Sequence, residues 1–212
     1  MTEVVGIDAT HANIGQLPPG LQYAGYSTGS PDIRWTPEDW AAHPGALRID
    51  QDASASDGTA DYLDVERGAA TNAEASSWYR RALMSYRAAT RPGQRAPGFY
   101  TSQSNVTPLV NALIAGGVTS GPKLIIARWD LLATVEDILR ITEAAGPFPV
   151  VGMQITNASP LPFDVDLFSA AWLAAVSRLP RPVPPLGEQI RNGLAEISGD
   201  LAELDQLVRR LP

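Results

Sequence analysis

The chain has 212 residues, 44% of them hydrophobic and 18% charged, with a formal net charge of -7. That is enough chain for one sizeable core, and the acidic balance argues against a nucleic-acid binder or a basic membrane-binding surface. The absence of cysteine excludes disulfides, thiol catalysis and thiolate metal sites.

"MTEVVGIDAT" opens the chain without a basic n-region or a long apolar core, so no signal peptide is expected. No apolar run reaches the roughly 18 residues of a membrane span. A soluble product made in the cytoplasm is therefore expected. In chain order, strands are predicted at 3–10, 21–28, 46–52, 60–66, 96–102, 123–129, 148–156 and 163–168. Each is a short run rich in Val, Ile or Tyr, bounded by Gly, Pro or Asn. A short helix is predicted at 36–43, with Thr36 and Pro37 as its start signal. Residues 72–89 place Ala75, Trp78, Tyr79, Ala82, Leu83 and Tyr86 on one helical stripe. Further helices are predicted over 107–117 (Thr107 as N-cap, Pro108 at N1), over 134–146 and over 166–179.

Eight strands with helices between them predict an α/β fold, a (β/α)8 TIM barrel over residues 1–179. It is compact and partly degenerate: "HANIGQLPPG" and "ASASDGT" leave no room for full helices after the first and third strands. An open doubly wound sheet is the alternative. Residues 180–187 then read as a Pro-rich linker. From 188 to 212, Ile190, Leu194, Ile197, Leu201, Leu204, Val208 and Leu211 follow a heptad seam. A coiled coil that makes a homo-oligomer is expected there, with a terminal helix docked on the barrel as the alternative.

The chemistry concentrates in "DYLDVERGAAT". Asp64 and Glu66 are two residues apart on a strand, so they share a face about 6.5 Å apart. They stand at the strand's C-terminal end, where barrels place their sites. Two carboxylates flanking one bond are what glycoside hydrolysis requires, one protonated and one ionised. Other strand ends carry Asp8, Asp50, Asp52, Tyr100, Trp129, Asp130, Gln154, Asp164 and Asp166. An acidic cup with aromatic walls is a sugar-site composition. Asp50, Asp52 and Asp64 would also suit Mg or Ca, but no phosphate-binding loop accompanies them. With two histidines, His11 and His43, a multi-His zinc site is not expected either. Neither a metal nor a cofactor is expected.

The ordered series "GIDAT", "DYLDVE", "GFYTS", "IARWD", "MQIT" and "FDVDLF" resembles the glycoside hydrolase family 25 lysozymes and related glycoside-hydrolase-like barrels, over roughly residues 3–176. The resemblance implies a lysozyme-like hydrolase of peptidoglycan or another cell-wall polysaccharide. Glu66 would be the general acid, Asp64 its partner, and Asp8 would line the site. Asp166, matching better than Asp164, would be the last-strand acid. Tyr100, Trp129 and Gln154 would touch substrate; Asp50, Asp52 and Asp130 are expected beside them from the acidic cup alone. The Ala-, Arg- and Pro-rich style is similar to barrels found in actinobacteria and their bacteriophages, which implies virion proteins among the partners. Two departures from the pattern, Met153 and Ile155 flanking Gln154 and "RIDQD" in the third strand, sustain a second expectation. That is a catalytically inactive, glycan-binding or structural barrel in a multimeric virion.

Overall fold

The computed structural model describes residues 3–17, 21–91, 93–128, 135–154 and 164–169. Eight strands close into one barrel in chain order: β1 (Glu3–Ala9), β2 (Gln22–Tyr26), β3 (Leu47–Asp50), β4 (Tyr62–Asp64), β5 (Gly98–Ser102), β6 (Leu124–Ala127), β7 (Val150–Gln154) and β8 (Asp164–Ser169). Each lies within or within a residue of a predicted run, and the open doubly wound sheet is set aside. Strands β1 to β7 are parallel. β8 runs antiparallel to both β7 and β1, which corrects the all-parallel expectation. The reason lies in chain length. Residues 155–163 are fewer than the dozen or more that a parallel crossover needs. The helix predicted over 166–179 is corrected at its start, where the strand runs on to Ser169; residues 170–179 lie outside the described residues.

Among the described residues the helices are α1 (Pro37–Ala42), α2 (Asn72–Arg87), α3 (Val106–Ala115) and α4 (Val135–Ala145). Two start on capping boxes, Thr36 with Asp39 and Thr71 with Glu74, each of which satisfies orphan N–H groups of the first turn. α3 begins one residue before the predicted start, because it continues a 3-10 turn over Gln103–Asn105. The linker and the heptads at 180–212 lie outside the described residues.

The pleat sorts side chains into two layers. Ala24, Tyr26, Leu47, Ile49, Tyr62, Tyr100, Ile125, Ala127 and Val151 fill the barrel interior. Leu63, Val65, Phe99, Leu124 and Ile126 face outward under Trp78, Leu109 and Leu113 of α2 and α3. At the end of the barrel where β1 to β7 begin, Asp61 is held by Arg91 at 2.5 Å and by the backbone N–H groups of Arg95 and Arg48 at 2.6 and 2.9 Å. Asp61, the first residue of "DYLDVERGAAT", is thus a structural anchor remote from the C-terminal ends of the parallel strands.

Among the described residues, no long helix follows β1 or β2. Trp35 covers this flank instead, donating its indole N–H to the carbonyl of Ala9 at 2.7 Å. This lid needs a bare backbone beneath it. A Cβ on Gly25 would stand 2.2 Å from the Trp35 ring, and the ring is itself fully buried. Gly25→Ala is therefore expected to destabilise the fold by about 3 kcal/mol, the upper end for an overpacked site. Thermal or urea unfolding of the variant measures it.

Candidate functional site

Strand register decides which carboxyls meet. Ala24, Ile125 and Ala127 are interior residues, and neighbours in register share a face. Asp8 pairs with Ala24, Tyr100 with Ile125, and Gln154 with Ala127. Asp64 pairs with Tyr100, Asp164 with Asp8, and Asp166 with Gln154. All therefore point into the barrel. Because β8 is reversed, its first residue, Asp164, stands at the rim where the parallel strands end, and Asp166 lies one pleat deeper.

A cavity of about 340 Å³ occupies the mouth, walled by Tyr26, Tyr100, Asp64, Glu66, Asp164 and Gln154. Gln51 and Arg67 complete its edge. The Tyr100 hydroxyl donates to Gln154 Oε1, which joins two of the walls. Gln51 donates a long hydrogen bond, 3.4 Å, to Asp64 Oδ2. Asp64 Oδ1 and Glu66 Oε1 have no hydrogen-bond partner among the described residues. Asp8 and Asp166 are buried, 2% and 1% exposed, and do not line the cavity.

This crowding changes proton affinity. Burial first, and then the charge of Glu66, lift Asp64 to about 7, although the Gln51 hydrogen bond pulls the other way. Glu66 also rises to about 7, through burial and then the charge of Asp164. Asp8 is pushed well above the carboxylate range by burial, then by Asp166, Asp164 and Asp64, and it shares a hydrogen bond with Asp164. A carboxyl–carboxyl hydrogen bond requires a proton on one partner. Asp166 is raised by burial and by Asp164. Near neutrality the mouth thus holds carboxyls of both kinds, protonated and ionised. That is the requirement for acid–base work.

The expectation of one site shared by all the rim acids needs correction. Asp50 pairs in register with the outward Leu63. Its Oδ1 accepts from Ser27 at 2.6 Å, and its Oδ2 accepts from the Trp78 indole at 3.1 Å and from Ser56. It ties β3 to α2 on the far side of the barrel wall. Asp52 is exposed and caps its own turn, accepting from Ser54 N–H at 2.8 Å and Ala55 N–H at 3.1 Å. Trp129 and Asp130 lie outside the described residues. Asp166 is buried, and Asp164 takes the lining position. The sequence reading left out Tyr26 and Gln51. For Tyr26 a signal existed, since Ala24 and Tyr26 alternate at the end of the second strand. For Gln51 there was none, because it stands beyond its strand.

No family model matches the sequence, and no curated protein does. Among solved structures the chain is similar to a family GH25 lysozyme from Aspergillus fumigatus, with a TM-score of 0.46 and 14% identity, over 83% of this chain and 99% of that one. It is also similar to an uncharacterized protein of B. stearothermophilus, with a TM-score of 0.40 and 12% identity, over 80% of this chain and 98% of that one.

Proposed function

We propose that this barrel is a lysozyme-like glycoside hydrolase acting on bacterial cell-wall glycan. The observation that carries the reading is the pair Asp64 and Glu66 at the mouth, each raised to about 7 in a cavity of about 340 Å³. Glu66, protonated, gives its proton to the glycosidic oxygen as the bond to the leaving sugar breaks. Asp64, ionised, faces the positive charge that develops at the anomeric carbon and orients the attacking water or the substrate's N-acetyl group. Asp8 and Asp166, buried behind the pair and raised well above the carboxylate range, hold protons rather than charge. Tyr26 and Tyr100 offer aromatic walls for a sugar ring, and Gln154, fixed by Tyr100, presents an amide to its hydroxyls.

The test is direct. The purified chain is incubated with actinobacterial cell walls between pH 5 and 8, and released muropeptides and new reducing ends are measured by mass spectrometry. Release above buffer supports the proposal. Walls left intact across that range would overturn it in favour of a barrel that only binds.

A further inference from the structure

A second cavity, larger than the mouth, opens among the described residues. About 620 Å³ lies on the outer flank of β2 and β3, beside α1 and the loop that follows β3, and it shares no lining residue with the mouth. It exists because the chain places a six-residue helix and a bare loop where a barrel of this kind carries full helices. Cavities of this size accept a small ligand or one unit of a larger one.

Two guanidinium groups from different segments face this space, Arg34 and Arg48. Arg48 is half-buried, and its Cζ lies 4.5 Å from the centroid of the Trp40 ring. The stack holds the plane of the guanidinium but satisfies none of its donors. Neither Arg34 nor Arg48 has a side-chain hydrogen bond or an ion pair among the described residues. A guanidinium always carries its charge and five N–H donors, and a half-buried one without an acceptor is held in place at a cost. The acids nearby do not fill that role. Asp50 spends both oxygens on Ser27, Ser56 and Trp78. Asp57 accepts from the Thr59 N–H at 2.8 Å and its hydroxyl at 2.7 Å through Oδ1 alone, and it makes no ion pair with either arginine among the described residues; Asp61, the acid whose charge bears most on Arg48, is paired with Arg91.

We infer that this flank cavity is a second binding site, in which Arg48, held by Trp40, and Arg34 grip one oxyanionic group, a phosphate or a carboxylate, carried on an otherwise neutral body. The fork of a guanidinium matches either oxyanion through two parallel N–H donors. Asp50 and Asp57 in the same wall offset the two positive charges, so the site selects a single anionic group over a polyanion. It stands independently of any chemistry at the mouth.

The experiment is a titration of the full chain followed by NMR of the tryptophan indole N–H signals. Glycerol 3-phosphate, inorganic phosphate and glucuronate are the probes, added separately. Saturable shifts of the Trp40 signal are expected with at least one of them, and the probe that saturates tells phosphate from carboxylate. Arg48→Met keeps the apolar stem over Trp40, and it should weaken that binding at least tenfold. Arg48→Lys, which keeps the charge and loses the fork, should fall between, and it serves as the reporter if the methionine variant does not fold. Glu66→Gln should bind the probes as the parent does. The inference is overturned if no probe saturates below roughly 50 mM, or if Arg48→Met and Arg48→Lys bind as tightly as the parent.

Discussion

Glu66→Gln is expected to lower kcat on cell-wall glycan by about 10²–10⁴-fold, the usual contribution of a positioned general acid. KM should change little. Glutamine keeps the shape of glutamate and still meets the substrate, but it has no proton to deliver as the bond breaks, so the loss falls on the transition state alone. The variant has a second readout that a merely structural role would not move. Glu66 is one of the causes that raise Asp64, so removing its charge should bring the carboxyl of Asp64 down from about 7. Carbon-13 NMR of the aspartate carboxyls follows that fall directly. In the parent the two groups titrate as a pair, with apparent values that belong to both. Activity should therefore follow a bell-shaped profile centred near neutrality, and Glu66→Gln should lose its alkaline limb. An unchanged rate in the variant would remove Glu66 from the chemistry.

Stability should fall as pH rises from about 5 to 8. The sign follows from the direction of the shifts. Asp64 and Glu66 are raised from 3.8 and 4.5 to about 7 in the folded chain, and Asp8 and Asp166 are raised well above the ordinary carboxylate range. Between those values the folded state keeps protons that the unfolded chain has released, so stability decreases with pH across the window. It is fully present below the unfolded values and lost through the folded ones. For Asp64 alone, a rise from 3.8 to about 7 corresponds to roughly 4 kcal/mol at most. The acids held low, Asp39, Asp52 and Glu74, act with the opposite sign. Their contribution is lost only as pH drops below the ordinary carboxylate range, outside this window. A thermal midpoint about 5–10 °C higher at pH 5 than at pH 8 is expected for a chain of this size. The double variant Asp64→Asn with Glu66→Gln should raise the midpoint at pH 8 and flatten the profile. A parent midpoint that climbs from pH 5 to 8 would contradict the crowding of carboxyls at the mouth.

Much of this barrel is legible in the sequence, because short β-rich runs bounded by turn residues are local signals, and all eight strands carry one. Direction is not local. Nothing inside "FDVDLF" tells whether it runs with or against its neighbours; that depends on how few residues precede it, and the choice between Asp164 and Asp166 at the rim turned on it. The face of Asp50 is likewise a matter of register. "RIDQD" reads as a strand ending in acids, but only pairing with β4 shows Asp50 aligned with the outward Leu63 while Asp64 aligns with the inward Tyr100. Asp64 was legible because Tyr62, two residues before, sets the interior face of its strand, and Glu66, predicted on the same strand, stands just past the strand's end. Arg48 carried no signal in its own segment. Its significance comes from Trp40 and Arg34, which approach it from a different part of the chain.

The reversed last strand has a consequence for how the barrel can be held. Ser169 pairs with Glu3, so the cycle of strands begins and ends side by side, at the end opposite the mouth. In an all-parallel barrel the final strand would finish at the mouth, and the chain would have to cross the outside to return. Here both ends of the strand cycle serve as points of attachment on one face. A surface approaching that face meets Glu3 and Ser169, the first and last residues of the strand cycle, and not the carboxyls of the mouth.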